Sequence, residues 1–381
     1  MEKLKVMSVF GTRPEAIKMV PLIKELSKNE NIESTVCVTA QHRQMLDQVL
    51  NIFEIKPDYD LDIMKQSQTL TYITSAVITE MAGVFKLAKP DLCLVHGDTT
   101  TTFATSLAAF YSGVRVGHVE AGLRTNDKYQ PYPEEMNRRL TANLADLHFA
   151  PTSVSKGNLL RENIPGENIF ITGNTAIDII KDTVKKDYVF GLPLLNRLDF
   201  GKKIITMTAH RGENIGEGIA NICRAVLRIV QENTDVELVY AVHLNPAVRR
   251  TVFEILKDKP RIHLIDPLDI MDMHNLMSRS YFIYTDSGGL QEEAPSMDKP
   301  VLVLRNVTER PEGLAAGTLL LAGVKEDEIY KSASLLLTDK KLYEKMANAK
   351  NPFGDGMASS RITQAILFSY EKAERPADYV V

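Results

Sequence analysis

Short apolar runs alternate with longer segments in which apolar residues recur at helical spacing. The runs KVMSVFG and STVCVTA precede such segments at 15–29 and 44–53, and DLCLVHGD precedes another at 99–112. Strands that are apolar on both faces, such as DLCLVHGD and KIITMTAH, are typical of a parallel sheet covered by helices. The pattern therefore predicts an α/β protein with doubly wound sheets.

The alternation is interrupted at 185–203, where two glycines and a proline fall in a stretch without clear period. A new series of strands then begins, which predicts a second Rossmann-like domain. We predict an N-terminal domain formed by 1–172 plus 360–381 and a C-terminal domain formed by 173–359. The predicted strands of the second domain are 203–209, 236–243, 261–266, 281–286 and 300–305.

Composition is that of a soluble globular protein, with 44% hydrophobic and 25% charged residues among 381. The net charge of -4 leaves no basic field for nucleic acid or anionic lipid. Neither a long apolar span nor a signal-peptide pattern is present, so we expect a cytoplasmic protein without membrane contact. Cys37, Cys93 and Cys223 lie in separate apolar stretches, and we expect all three to be reduced core residues.

Two doubly wound domains in tandem are expected to face a central cleft with the carboxyl ends of their strands, where ligands of such folds bind. The residues predicted at these ends are polar almost throughout. They are Gly11-Thr12-Arg13, His96-Gly97-Asp98, Glu120, His210-Arg211, His243 and Asp286-Ser287-Gly288-Gly289.

The turn FGTRPEAIK predicts a capping box between Thr12 and Glu15, with Pro14 in the first helical turn. Helix geometry does not require Arg13 or Lys18. A pair of cations beside a helix N-terminus suits an anionic ligand such as a phosphate, although solvated cations would also be compatible with the sequence.

A second anion site is predicted at YFIYTDSGGLQEEAP, a strand, a turn and a helix start. Gly288 and Gly289 allow backbone N–H groups to approach a phosphate or diphosphate, although the stretch also fits a plain tight turn. Glu293 is a candidate acceptor for a ribose diol, whereas Glu292 is expected to be solvated.

Ionisable side chains gather at three further strand ends. His210 precedes Arg211 at the end of a buried strand and is a candidate donor or general acid for a leaving phosphate, or a structural histidine. Asp98 is a candidate acid or a simple helix N-cap. Glu120, Glu134 and Glu135 are expected in the same cleft, with Arg138 nearby. Repulsion among such carboxylates raises the pKa of some of them and separates the roles of acid and base.

Phosphate-binding groups together with clustered carboxylates indicate a sugar nucleotide as ligand. The sequence lacks an HxxxH or paired-cysteine zinc pattern, and Asp98 has no second aspartate nearby. We therefore expect neither a metal ion nor a cofactor.

Seven segments in order resemble the non-hydrolysing UDP-N-acetylglucosamine 2-epimerases over essentially the whole chain. The resemblance implies a GT-B fold and interconversion of UDP-N-acetylglucosamine and UDP-N-acetylmannosamine for surface-polysaccharide precursors. It also implies a homodimer that binds these sugars and UDP. The segments are FGTRPEAIK, TAQHRQMLDQ, HGDTTTT, HVEAGLRT, PYPEEMNRR, TAHRGEN and DSGGLQEEAPSMDKPVLVLRNVTERPEG.

The resemblance also implies the mechanism of the family, which is elimination of UDP to give 2-acetamidoglucal, followed by re-addition of UDP. The resemblance places the catalytic acids at Asp98, Glu120 and Glu134, with Arg138 nearby and His210 at the diphosphate. Which carboxylate removes the proton and which supplies it stays open. Contacts to UDP carry over to Arg13, Lys18, Ser287, Gly288, Gly289 and Glu293.

Some bacterial members bind a second UDP-N-acetylglucosamine as an activator, through residues matching Gln41, Gln44, Glu134, Arg211 and His243. Those members also carry an arginine where this chain reads Lys65-Gln66-Ser67, so the resemblance is incomplete there. A second departure is Asn306-Val307, where relatives commonly read Asp-Thr.

Three other functions stay open from the residues alone. An inverting glycosyltransferase of the same architecture needs one base and an acceptor groove, and leaves two acids unexplained. A hydrolysing epimerase releases UDP and free N-acetylmannosamine. A sugar-nucleotide sensor has no use for carboxylates facing C2.

Overall fold

The computed structural model describes residues 2–381, apart from the side chain at position 213, and divides into two compact units. Unit 1 is formed by the chain up to Ile179 together with Gly354–Val380, and unit 2 by Ile180–Phe353. The sequence places the corresponding boundaries at 172/173 and 359/360. Each unit contains one sheet whose strands all run parallel.

The sheet of unit 1 has seven strands in the order β3-β2-β1-β4-β5-β6-β7, and that of unit 2 has six in the order β10-β9-β8-β11-β12-β13. Both orders reverse next to the first strand of the unit, as in a doubly wound fold. The strands are β1 Leu4–Phe10, β2 Ile32–Val38, β3 Tyr59–Asp60, β4 Leu92–His96, β5 Arg115–Val119, β6 Leu147–Ala150, β7 Ile169–Ile171, β8 Lys203–Thr208, β9 Val236–Ala241, β10 Ile262–Ile265, β11 Phe282–Thr285, β12 Val301–Val303 and β13 Leu319–Leu321.

Helices connect successive strands, and the last long helix returns to unit 1, where it packs against the first. They are α1 Arg13–Lys28, α2 Arg43–Ile52, α3 Leu70–Ala88, α4 Thr100–Tyr111, α5 Glu134–Leu144, α6 Ser153–Arg161, α7 Thr175–Asp178, α8 Ile180–Thr183, α9 Glu217–Glu232, α10 Pro246–Leu256, α11 Ile270–Ser278, α12 Gly288–Glu293, α13 Pro311–Ala316, α14 Glu326–Thr338, α15 Lys340–Ala347 and α16 Ala358–Ser369. Short 3₁₀ turns occupy Gly166–Asn168, Leu195–Arg197, Gly212–Asn214 and Ala294–Met297.

The predicted doubly wound α/β architecture is confirmed. The five strands predicted between 203 and 305 are all present, each within a few residues of its predicted ends. The short β13 was not predicted, because LLL follows a helix too closely to stand out as a separate apolar run.

Apolar side chains from both faces of each sheet form the cores. In unit 1, Met7 and Val9 of β1 pack with Val77 and Met81 of α3. In unit 2, the helix α9 contributes a row of buried residues to the core beneath β8 and β9. The three cysteines are free and buried, as expected. Among the residues described, none of the helices combines the length and the apolar character needed to span a bilayer.

Candidate functional site

The turn between β1 and α1 is built around a buried carboxylate. Thr12 and Glu15 form the predicted capping box, in which Glu15 Oε2 accepts hydrogen bonds from the Gly11 and Thr12 N–H groups at 3.1 and 2.8 Å. Glu15 Oε1 also accepts from the Thr99 hydroxyl at 2.6 Å. Because Thr99 follows Asp98, this carboxylate joins the first turn of α1 to the turn that carries Asp98. The neighbouring Arg13 is exposed.

Asp98 follows β4 through Gly97, whose φ of +68° is a backbone conformation that glycine adopts without strain. The N-cap of α4 is Thr99, which accepts from the Thr102 N–H at 3.1 Å, so the interpretation of Asp98 as the cap is wrong. The Asp98 carboxylate instead accepts from Arg138 Nη1 at 3.1 Å. Asn137 Nδ2 donates to the Asp98 carbonyl oxygen at 2.9 Å.

Opposing effects act on the acidity of Asp98. Its removal from water raises the pKa, the Arg138 guanidinium lowers it, and the charges of Glu120 and Glu134 raise it again. The balance leaves the pKa above its ordinary value, in the direction expected for a cluster of carboxylates.

Glu120 lies just beyond β5, in a left-handed conformation with φ of +63°. Such a backbone is uncommon for a residue with a side chain and is seen both in turns and at functional sites. The Glu120 carboxylate forms an ion pair with Lys18 and accepts from Asn174 Nδ2 at 3.0 Å. The buried His96 ring lies behind it, with Nε2 3.9 Å from the same carboxylate oxygen. Burial lowers the pKa of His96 to about 4, so this ring is neutral at pH 7.

The two adjacent glutamates at the start of α5 have different surroundings. Glu135 is fully buried and accepts from the Thr125 N–H at 3.0 Å and from Arg139 at 3.1 Å. Burial by itself would raise the pKa of Glu135, but these two contacts lower it. Glu134 has a buried oxygen, Oε2, without a hydrogen-bond partner among the described residues. Glu135 therefore stabilises the loop and helix, whereas Glu134 has an acceptor available to a ligand.

A cavity of about 400 Å³ opens among these elements of unit 1. Arg13, Asp98 and Glu134 line it, together with Gln41 and Asn137. The structure thus brings a cation and two of the predicted catalytic carboxylates to one pocket. Gln41 Oε1 accepts from the Thr101 hydroxyl at 3.0 Å, and Gln44 is exposed on the following helix.

In unit 2, the fully buried Asp286 organises the turn after β8. Asp286 Oδ2 accepts from the N–H groups of His210 and Arg211, both at 2.8 Å. The His210 ring lies parallel to His243, with 5.2 Å between the ring centroids. Three effects lower the pKa of His210: first burial, then the neighbouring His243 and Arg211. The Asp286 carboxylate raises this pKa, but the balance leaves it below its ordinary value.

The Ser287-Gly288-Gly289 turn opens α12, where the first N–H groups of a helix have no carbonyl partner within it. The guanidinium of Arg310 lies against this turn, since a Cβ built on Gly288 would be 3.2 Å from Arg310 Nη2. Glu292 is 2% exposed and ion-paired with Arg310. The expectation that Glu292 is solvated is therefore wrong, because the side chain points into the unit and holds Arg310 near the turn.

Glu293 lies one residue further along α12, with 16% of its side chain exposed. Its Oε2 is 3.3 Å from Nε2 of the buried His274 on α11. A Cβ built on Gly289 would be 3.7 Å from its other oxygen, Oε1, which places the carboxylate beside the glycine turn.

Sequence reasoning missed four contact residues: His96, Asn174, His274 and Arg310. The sequence places His96 at a strand end without indicating a role for it. Asn174, His274 and Arg310 lie 54, 19 and 18 positions from the carboxylates they contact, and only the fold brings them together. Within the described range, no cluster of three or more His, Cys, Asp or Glu side chains is arranged to hold a metal ion.

Comparison with known proteins adds an independent observation to this geometry. A family model described as UDP-N-acetylglucosamine 2-epimerase matches residues 24–367. The UDP-N-acetylglucosamine 2-epimerase of Bacillus subtilis is 58% identical over 380 residues, which cover 100% of this chain and 99% of that protein. The chain belongs to the UDP-N-acetylglucosamine 2-epimerase family.

Solved structures of UDP-N-acetylglucosamine 2-epimerases agree with this assignment. One is 56% identical with a TM-score of 0.93 and covers 100% of both chains. The Neisseria meningitidis UDP-GlcNAc 2-epimerase, solved bound to UDP-GlcNAc, is 50% identical with a TM-score of 0.86 and covers 96% of this chain and 100% of that one. The predicted GT-B type of fold is confirmed, and this member of the epimerase family is an isomerase.

Proposed function

We propose that the chain interconverts UDP-N-acetylglucosamine and UDP-N-acetylmannosamine by eliminating UDP and adding it back. The observation that carries the proposal is the cavity of unit 1, which Asp98 and Glu134 line beside Arg13. Glu120 is close enough to raise the pKa of Asp98. A protein that only binds a sugar nucleotide needs no such group of interacting acids.

Inversion at C2 of this sugar cannot begin with simple deprotonation, because C2 is not adjacent to a carbonyl carbon. In the proposed reaction the C1–O bond breaks and its electron pair leaves with UDP. The C2 proton passes to a carboxylate, and a C1–C2 double bond forms in 2-acetamidoglucal. Re-addition reverses these events, with a proton delivered to the opposite face of C2.

Two carboxyl groups on opposite faces of the sugar satisfy this scheme, one as base and one as acid. Asp98 is suited to donate, because its raised pKa keeps a larger fraction of the group protonated near neutral pH than an ordinary aspartate would have. The Lys18 and Asn174 contacts hold the Glu120 carboxylate in one orientation. Glu134 completes the set with its unpartnered buried oxygen.

Departure of UDP places negative charge on the diphosphate, and each unit by itself carries groups that suit such a charge. Arg13 and Lys18 are cations at the first helix of unit 1. In unit 2 we propose His210, the N–H groups of the Ser287-Gly288-Gly289 turn and Arg310 as donors. A well-placed donor of this kind is worth about 3–4 kcal/mol of transition-state stabilisation.

The nucleoside is proposed to bind unit 2 along α11. Glu293 accepts from the ribose diol beside the glycine turn. A cavity of about 570 Å³ lies at the carboxyl end of β10, where Leu264, Pro267 and Leu268 supply apolar surface for a uracil ring. Helix α11 begins beside this cavity and carries the Glu293 partner His274 one turn later, so base and ribose would follow one helix.

Three further properties are proposed from the family resemblance. The product serves surface-polysaccharide synthesis, the protein is a homodimer, and a second UDP-N-acetylglucosamine activates it. The last is proposed on the resemblance alone, through Gln41, Gln44, Glu134, Arg211 and His243. Rates that stay hyperbolic in UDP-N-acetylglucosamine would count against activation, and a monomeric mass by light scattering against the dimer.

Incubation with UDP-N-acetylglucosamine in D₂O, followed by proton NMR, tests the reaction. The proposal requires a mixture of two UDP-sugars with deuterium at C2. Asp98→Asn should abolish exchange, whereas Asp187→Asn, the same change at an exposed position, should not affect it. Free sugar would indicate a hydrolase, an unchanged substrate would indicate a transferase or binder, and interconversion without deuterium would refute the proton transfer.

A further inference from the structure

The buried His274 links the candidate ribose carboxylate to a second polar group. His274 lies on α11 with 2% of its surface exposed. Its Nδ1 is 2.7 Å from the Thr183 hydroxyl, and its Nε2 is 3.3 Å from Glu293 Oε2. Both ring nitrogens are therefore within hydrogen-bond distance of a partner, so the plane of the ring is fixed at both edges.

The partners also determine which nitrogen carries the proton. An ionised carboxylate only accepts hydrogen bonds, so Nε2 must donate to Glu293. In the neutral ring Nδ1 then accepts, and the Thr183 hydroxyl donates to it at 2.7 Å in preference to the Ile180 carbonyl oxygen at 3.3 Å. Thr183 is itself held in place, because Asn275, which lies on α11 like His274, donates from Nδ2 to the Thr183 carbonyl oxygen at 2.8 Å. The arrangement is a directed chain from Thr183 through His274 to Glu293.

The chain ends beside the glycine turn. Glu293 turns Oε2 towards His274, and Oε1 lies nearer Gly289. A glutamate side chain has three rotatable bonds, and holding it in one rotamer before a ligand arrives reduces the entropy lost on binding. One oxygen is thus paired with His274, and the other lies beside Gly289.

We propose that His274 is a positioning residue that fixes Glu293 for recognition of the ribose hydroxyls of UDP. The inference rests on the proposed function, since it takes UDP as the ligand of unit 2. His274 does not contact the nucleotide in this scheme and acts through the carboxylate. Replacing His274 should therefore affect only the hydrogen bond from the ribose hydroxyl to Glu293. It should weaken nucleotide binding and leave the acid–base chemistry of Asp98 and its neighbours unchanged.

Calorimetric titration with UDP, 2′-deoxy-UDP and 3′-deoxy-UDP tests this specificity. In the wild type, loss of the ribose hydroxyl that donates a hydrogen bond to Glu293 should weaken binding about tenfold, as for a hydrogen bond to a charged group. His274→Leu should bind UDP about tenfold more weakly, but should bind that deoxy nucleotide within about twofold of the wild type. In turnover assays the KM should rise while kcat stays within about twofold.

Companion variants separate positioning from general damage. His274→Gln retains an N–H group able to reach Glu293 and should restore most of the UDP affinity. Thr183→Val removes the second link of the chain, and should give an intermediate loss with the same hydroxyl specificity. His263→Leu is the matched control, because His263 pairs with Glu237 at 2.9 Å instead of with Glu293, and its loss should change neither affinity.

Each outcome of the titrations is informative. Unchanged UDP affinity in His274→Leu, or an equal loss with all three nucleotides, overturns the inference. If the Leu variant fails to fold, Thr183→Val carries the same comparison. A wild type that binds all three nucleotides equally overturns the role of Glu293 and His274 while leaving the epimerase proposal standing. A wild type that binds no UDP overturns both.

Discussion

Replacing Arg138 by methionine should destabilise the protein in a manner that depends on pH. Arg138 is 5% exposed and lies between two carboxylates, 3.1 Å from Asp98 Oδ2 and 3.3 Å from Glu135 Oε2. Methionine fills much of the same space without charge. Glu135 keeps Arg139 and the Thr125 N–H as partners, so the loss falls mainly on Asp98.

The magnitude follows from the burial of the two partners. Breaking a fully buried ion pair by removing one partner costs about 3–5 kcal/mol. The Asp98 side chain is 31% exposed, so water replaces part of the lost interaction. We expect a decrease of about 2 kcal/mol in the free energy of unfolding at pH 7, after discounting that range for solvent.

The sign of the pH dependence can be worked out from the same contact. Arg138 lowers the pKa of Asp98, so its contribution is present while Asp98 is ionised and is lost as the pH falls through the pKa of Asp98. The stability difference between wild type and Arg138→Met should therefore shrink on acidification. Without Arg138 the pKa of Asp98 rises further, so any limb of the pH–rate profile that reports Asp98 should move to higher pH.

Urea unfolding at several pH values between about 7 and 4.5 measures the first effect, and pH–rate profiles measure the second. Arg139→Met is the matched control on the same helix. The Arg139 side chain is 37% exposed, so its ion pair should be worth less than about 1 kcal/mol. A stability difference that is independent of pH, or an Arg139→Met effect as large as that of Arg138→Met, would refute the reasoning.

Three further predictions concern other ionisable groups. Asp98→Asn and Glu120→Gln should each lower turnover at least about 100-fold, with UDP affinity by calorimetry retained; a near-normal rate removes that residue from the mechanism. Glu15→Ala, which removes the acceptor joining two turns, should lower the unfolding free energy by about 2–4 kcal/mol, and Glu15→Gln by about half as much; equal losses would contradict the acceptor role. Burial lowers the pKa of His148 from 6.5 to about 4, so the free energy of unfolding should decrease as the pH is lowered across this range. In His148→Gln, the slope of the unfolding free energy against pH, measured by urea unfolding, should be smaller by up to about 1.4 kcal/mol per pH unit. An unchanged slope would contradict this.

Much of the architecture could be predicted because the relevant interactions are local. Alternation of apolar runs with helical segments reports which faces of each element are buried, and buried strands between helices imply parallel sheets. The capping box at Thr12 and Glu15 was readable for the same reason, since both partners lie within one helical turn. The short β13 was missed, because three residues carry too little pattern.

Local reasoning had less success with individual charged residues. Asp98 and Thr99 are both able to cap a helix, and only the structure shows that the threonine does so while the aspartate binds Arg138. Glu292 and Glu293 are adjacent and chemically identical. Their different surroundings depend on Arg310 and His274, which come from other elements of the unit.

By itself, the sequence determined the two doubly wound sheets, the polar character of their strand ends and the resemblance to the epimerase family. Tertiary structure decided which charges meet, as in the pairing of Lys18 with Glu120 across 102 positions and the placement of Asn174 on the same carboxylate. The physical reason is one of range. Periodicity and capping arise from neighbours along the chain, whereas the partner of a buried charge depends on strand order and helix packing, which bring distant residues within a few ångströms.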